Sequence, residues 1–291
     1  MKRSYLKYFM ALLLFGSNGV VASYIGLSSY EIVLLRSLFG SLLLIALFFL
    51  SGRRLTVRQH PKDFLFIGLS GIAMAADWLL LFEAYAQIGV SLGMIINYCG
   101  PAIVIAFSVL FLKEKVSFSK MLALIAAFIG VFLISGQAAG IGANSLGLFC
   151  AILSAFAYSA MVIFNKMAKH ITGLENATLQ LFFALVAIAV FVGFKQGFYI
   201  EIAATDWLPI LWIGFINTGI SCYFYFSSIG ALPVQTVAIC GYLEPLSAVL
   251  LSVVILHETM LPLQVVGAVL IVGGAVYGEV TKKTESVQKQ V

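Results

Sequence analysis

Four ionisable side chains, Arg36, Asp77, Glu83 and Glu244, stand inside long apolar runs of this 291-residue chain. At the centre of a membrane helix a charge costs about 2.5 to 3.5 kcal/mol on insertion scales, so such residues face a protein interior, pair, or take up a proton. Counting along the runs puts Asp77 and Glu244 nearest the middle. Carboxylates there can bind a cationic group or carry a proton. Glu83 and Arg36 lie nearer the ends of their runs, where an interfacial structural role fits as well as a functional one. Asp77 and Glu83 are six residues apart and so occupy different helical faces, which leaves Asp77 as the member directed to a shared cavity. Trp78, Tyr98, Tyr158, Tyr223, Tyr225 and Tyr242 carry amphipathic rings suited to a cavity wall, although ordinary packing explains each taken singly.

Catalysis has little to work with. His60, His170 and His257 fall in loops or at run ends, and no HExxH motif is present. Cys99, Cys150, Cys222 and Cys240 lie within apolar runs without CxxC spacing, so they read as small hydrophobes. No catalytic residue, metal site or cofactor is expected, and an intramembrane enzyme is the remote alternative.

The elements that position these residues are membrane spans. The chain is 62% hydrophobic and 10% charged, against about 25% charged in soluble domains. Runs of about 20 apolar residues, each able to cross roughly 30 Å of hydrocarbon as a helix, recur along it. Bounded by charge, Gly, Pro or Asn, they predict ten spans near residues 6–26, 31–51, 64–86, 89–112, 119–136, 145–167, 175–195, 207–228, 233–256 and 261–279. The expected fold is an all-α polytopic membrane protein. Continuous runs without ten-residue alternation disfavour a β-barrel. The first run resembles a secretory signal peptide, but its counterpart in the second half marks it as a structural span.

Lys and Arg set the orientation. With the N-terminus inside, fifteen of the 17 basic residues fall in cytoplasmic segments, Lys195 lies outside, and Arg36 lies within a span. Both termini are therefore expected in the cytoplasm of a cell membrane, with residues 281–291 as a mobile polar tail. The net charge of +5 forms no basic stripe, so nucleic acid is not an expected partner.

A shift of 144 positions superposes Glu31 on Glu175, Tyr98 on Tyr242, Pro101 on Pro245, Glu114 on Glu258 and Gly130 on Gly274 without a gap. The chain thus reads as two homologous halves, 1–140 and 141–280, joined by a Gly-rich linker from Gly136 to Gly142. Each half holds five spans, an odd number, so the second enters the membrane inverted. Lys113-Glu114-Lys115 becomes His257-Glu258-Thr259, losing its lysines where the positive-inside rule disfavours them. Inverted repeats are characteristic of secondary transporters, in which similar halves open a central site alternately to each side.

Pro101 and Pro245 fall near the middle of spans 4 and 9. Each removes an amide donor and is expected to kink its helix, freeing the carbonyls of Asn97 and Gly241. Such backbone is tolerated at membrane depth only against protein or a polar cavity. Pseudosymmetry sets Asn97–Pro101 against Gly241–Pro245. Gly267, Gly274 and Gly278 of span 10 line one stripe matched by Ala123 and Gly130 of span 5. Small residues permit close packing within the chain, and a homodimer contact through spans 5 and 10 is the alternative.

These passages resemble the EamA branch of the drug/metabolite transporter superfamily. The resemblance covers residues 6–280. It rests on Phe82-Glu83-Ala84-Tyr85 leading into Tyr98-Cys99-Gly100-Pro101 and Glu114, then on Tyr225 to Gly230 leading into Gly241-Tyr242-Leu243-Glu244-Pro245 and Glu258, with Phe15-Gly16-Ser17-Asn18 in the opening helix. It implies a central cavity lined by both halves, peripheral spans 5 and 10, and export of a small metabolite such as an amino acid. The candidate substrate-binding residues are then Asn18, Asp77, Trp78, Asn97, Tyr98, Tyr158, Tyr223, Tyr242 and Glu244. Asp77 stands where relatives often carry an uncharged polar residue and Glu244 where a shorter or neutral one is common, and these acids point to a cationic or zwitterionic substrate or to a transported proton. A lipid or lipid-linked sugar flippase of the same architecture is the alternative.

Overall fold

In hydrocarbon every backbone N–H and C=O must be satisfied within its own segment, so uninterrupted apolar sequence folds as helix. The computed structural model describes residues 2–88, 93, 96–112, 117–135, 144–256 and 261–288, and these are helical with short connections. In order the helices are α1 (Lys2–Gly16), α2 (Asn18–Ala22), α3 (Ser29–Leu50), α4 (Pro61–Ile88), α5 (Gly100–Leu112), α6 (Phe118–Ser135), α7 (Ser145–Met167) and α8 (Gly173–Lys195). A single 3₁₀ turn then leads into α9 (Trp207–Gly214), a π-helical segment (Phe215–Ile220) and α10 (Ser221–Ile229). The chain continues through α11 (Val234–Gly241), α12 (Leu243–Leu256) and α13 (Pro262–Gln288).

Seven helical stretches among the described residues are long and apolar enough to cross a membrane, and Met121–Leu133 and Val265–Gly274 are shorter apolar helices. Glu114, Glu258, His257, Lys113, Lys115 and the 136–142 linker lie outside the described residues. Helix α13 runs on to Gln288 instead of ending with the apolar sequence at 279; Lys, Glu and Gln are good helix formers and prolong it.

Local chemistry sets several ends. Ser28 and Glu31 form a reciprocal capping box that opens α3. Pro61 and Pro262 stand first in α4 and α13, where the missing N–H has no helical acceptor to lose. Glu175, the positional match of Glu31, caps nothing of its own and accepts from Thr56 N at 2.6 Å and Thr56 Oγ1 at 2.9 Å.

The helices pack in pairs that recur 144 residues on. Helix α4 packs on α7 as α10 packs on α1; α4 packs on α8 as α3 packs on the π segment; and α5 packs on α7 as α12 packs on α1. Helices α3 and α8 meet each other, as do α6 and α13. In the last pair a Cβ on Gly130 would lie 2.6 Å from Gly267 O, and one on Gly274 would lie 2.8 Å from Ala123 O. The glycine stripes of spans 5 and 10 thus serve intramolecular contact, where only a missing side chain lets the backbones meet.

Two of the fold's interruptions are also 144 residues apart. Residues 98–99 form a turn before α5, and Tyr242 separates α11 from α12. Tyr242 N bonds back to Ile239 O and Cys99 N to Ile96 O, both short-range turn bonds. Pro101 and Pro245 therefore sit in the first turn of a new helical segment, just past the breaks at 98–99 and 242, so the helix ends and restarts. A first-turn proline forfeits no helical bond.

Candidate functional site

The two interruptions touch. Tyr242 Oη donates to the backbone O of Tyr98 at 2.8 Å, and the rings stand 6.2 Å apart. The backbone O of Tyr98 thus takes a partner from the second half of the chain. Tyr242 is fully buried, whereas Tyr98, Asn97 and Glu244 keep part of their surface accessible.

Asp77 approaches from α4 and is buried. Its Oδ1 accepts from Asn97 Nδ2 at 2.9 Å, and the same nitrogen lies 3.0 Å from Ser154 Oγ on α7. The acid is thereby held at the α5 break. Glu244, in the first turn of α12, makes no side-chain hydrogen bond among the described residues. It stands two residues past the α11–α12 break, and its backbone O lies 2.9 Å from where a Cβ on Gly16 of α1 would be. Tyr158 abuts Gly100, and a methyl on Gly241 would lie 3.5 Å from the Tyr8 hydroxyl and 3.7 Å from that of Tyr158. Two phenols therefore converge beside the second interruption. Tyr8 Oη is itself spent on Val237 O at 2.7 Å.

Arg36 reaches the same region. It is buried, donates from Nε to Thr218 Oγ1 at 2.9 Å, and lies with its guanidinium carbon 4.6 Å from the Trp78 ring centroid. Thr218 belongs to the π-helical segment, whose widened turn bonds Thr218 Oγ1 to Ile213 O at 2.8 Å and Ser221 Oγ to Ile216 O at 3.1 Å. The same segment turns Asn217 onto α1, with Nδ2 2.6 Å from Ser17 Oγ and 3.0 Å from Leu14 O.

Asp77, Asn97, Tyr98, Tyr158, Tyr242 and Glu244 thus gather around the paired interruptions, and Trp78, next to Asp77 in sequence, stands against Arg36. Tyr223 does not; it sits under Lys7, whose Nζ lies 4.7 Å from its ring centroid and 3.1 Å from Ser227 Oγ. Asn18 stands beside the Ser17–Asn217 contact with its Oδ1 buried and unpaired. Sequence reasoning left Arg36 open, and it passed over Thr218 and Tyr8. An arginine within an apolar run was the available signal for Arg36, whereas the π segment has no pattern that would announce Thr218. Glu83 belongs to a different cluster. It bonds Lys195 Nζ at 2.8 Å and Gln87 Nε2 at 3.1 Å, and contacts the Tyr30 hydroxyl, at the ends of α3, α4 and α8. No group of His, Cys, Asp and Glu among the described residues is placed to hold a metal ion.

The profile of the EamA-like transporter family matches residues 2–136 and again 145–277. The chain belongs to that family. The chain is similar to an uncharacterized transporter of Bacillus subtilis, YxxF, 25% identical over 272 residues that cover 92% of this chain and 87% of the relative. An uncharacterized inner membrane transporter of Salmonella typhimurium, YicL, is 23% identical over 267 residues and 88% of each chain. A solved crystal structure of a protein superposes with a TM-score of 0.83 over 95% of this chain and 98% of that one at 19% identity, a likeness of fold. The two EamA matches coincide with the halves that carry the paired interruptions, and the 137–144 gap between them falls at the Gly-rich linker.

Proposed function

We propose that this EamA-family membrane transporter is a secondary transporter that exports a small amphipathic metabolite, an amino acid or similar compound, by alternating access through ten spans in two inverted five-span repeats. The observation that carries the reading is the meeting of two helix interruptions, 144 residues apart, with Asp77 and Glu244 beside them. Paired, pseudosymmetric discontinuities at membrane depth are where secondary transporters place their substrates. The recurring helix pairs support the repeat, because two similar packings can exchange roles when the molecule reopens to the other side.

In this reading solute occupies the space bordered by Trp78, Asn97, Tyr98, Tyr158 and Glu244. Aromatic rings receive its apolar part, and the two carboxylates take a cationic group or a proton. Closure on one side proceeds as the segments beyond Tyr98 and Tyr242 pivot about the turns. The cell membrane is the proposed location, with both termini cytoplasmic. The end of the bundle that bears Tyr30, Glu83 and Lys195 then faces outward.

Coupling is tested with purified protein in liposomes, by following exchange of candidate metabolites across a pH range. Asp77→Asn and Glu244→Gln are expected to flatten the pH dependence, because each removes a proton site while keeping its side-chain shape. Unchanged profiles in both variants would contradict proton coupling and leave the transporter assignment standing.

A further inference from the structure

Arg36 is held by only part of its guanidinium. It is 6% exposed. Nε is committed to Thr218, and one face of the group is committed to Trp78. Those contacts fix its plane and direction and leave both Nη groups, which make no hydrogen bond or ion pair among the described residues. A guanidinium keeps its charge at any ordinary pH, and neither Nη is among the fully buried, unpartnered polar atoms, so that edge stays open to a ligand. No ion pair joins Arg36 to Glu244 among the described residues.

The positional match in the second half sharpens the contrast. Gln180 lies 144 residues after Arg36 and bridges α8 to α4, as Arg36 bridges α3 to the π segment. Its Nε2 donates to Ser70 Oγ at 2.8 Å, and its Oε1 accepts from Asn165 at 3.2 Å. A purely structural bridge at this position thus has both ends of its amide bonded. Arg36 bridges with Nε alone and keeps the fork over.

We infer that Arg36 is the anion-receiving residue of the central site, and that its Nη edge takes a carboxylate of the solute bound there. The inference rests on the transporter reading and adds the solute's anionic end to it. A planar fork matches a planar carboxylate through two parallel hydrogen bonds, which an ammonium group cannot reproduce. Trp78 lies alongside, so an aromatic or apolar body attached to that carboxylate has a ring to pack on. Asp77 and Glu244 then remain for the opposite charge.

Benzoate and its neutral isostere benzamide are the probes, with full-length protein in detergent micelles. Phenylglyoxal, which modifies arginine, is expected to label Arg36, and benzoate should slow that labelling several-fold where benzamide does not. Benzoate should also raise the thermal unfolding midpoint of the wild-type protein, by less in Arg36→Lys and not at all in Arg36→Gln. Equal protection by both probes, or an Arg36 that phenylglyoxal never reaches, would overturn the inference. Because protection is read on unmutated protein, a misfolded variant does not blunt the test. Benzoate-specific protection without any solute exchange in liposomes would support the anion seat and count against transport alone.

Discussion

At the scale of single residues, Tyr98 and Tyr242 are matched in sequence but not in what they do. Tyr242 contributes its hydroxyl and Tyr98 its backbone carbonyl. Tyr242→Phe is therefore expected to lower stability by about 0.5 to 1.5 kcal/mol, the usual net value of one hydrogen bond, whereas Tyr98→Phe keeps that bond. Unfolding midpoints of the two variants in the same detergent check this, and equal losses would contradict it. Asp77 and Glu244 were legible from the sequence, because an acid deep in an apolar run has few reasons to be there. Arg36 was equally visible but was counted toward the end of its span. Its length carries the guanidinium inward to Trp78, which position along a helix axis alone does not convey. Tyr223 shows the reverse, since a ring of suitable type sits against Lys7 and away from the interruptions.

At the scale of elements, the glycine stripes decide how closely helices approach. Gly130→Leu should destabilise the protein strongly, beyond the 1 to 3 kcal/mol typical of overpacking, because its Cβ alone would fall 2.6 Å from Gly267 O. Gly273→Leu, on the same helix as Gly267 with open space around it, should be nearly neutral. Thermal stability of the two variants separates helix packing from a general dislike of leucine. The Glu83–Lys195 pair is partly exposed, with side chains 24% and 40% accessible, so a double-mutant cycle with Glu83→Gln and Lys195→Met should give a coupling below about 1 kcal/mol that falls with salt. Apolar runs located most of the described helices because burial in hydrocarbon leaves the backbone no alternative, whereas α13 runs on past the apolar sequence to Gln288. The sequence pointed to kinks at these places, and the structure has breaks there instead. A proline announces a lost donor, yet the chain relieves the loss by turning at Tyr98 and Tyr242 and restarting the helix. The π segment had no signal in the sequence; within it Asn217 and Thr218 contact α1 and α3, partners that spacing along the chain does not reveal.

At the scale of the whole molecule, the repeat was the most legible feature and the one that bears most on function. Matches at a constant shift of 144 reappear as recurring helix pairs and as two family matches, one per half. An inverted arrangement with both ends cytoplasmic makes a plain prediction. Cysteines introduced at Ser4 and Ser286 should be protected from a membrane-impermeant thiol reagent in intact cells, and one at Tyr199 should react. Labelling at Ser286 with protection at Ser4 would contradict an even number of spans. The central claim is that this bundle moves a small metabolite across the membrane. Its most direct test is liposomes containing the purified protein, loaded with a uniformly carbon-13-labelled cell extract and followed by mass spectrometry of the external medium. One or a few amphipathic metabolites are expected to leave faster than from protein-free liposomes, and to slow when Asp77 and Glu244 are replaced together. Identical release from both kinds of liposome at every pH would contradict the account.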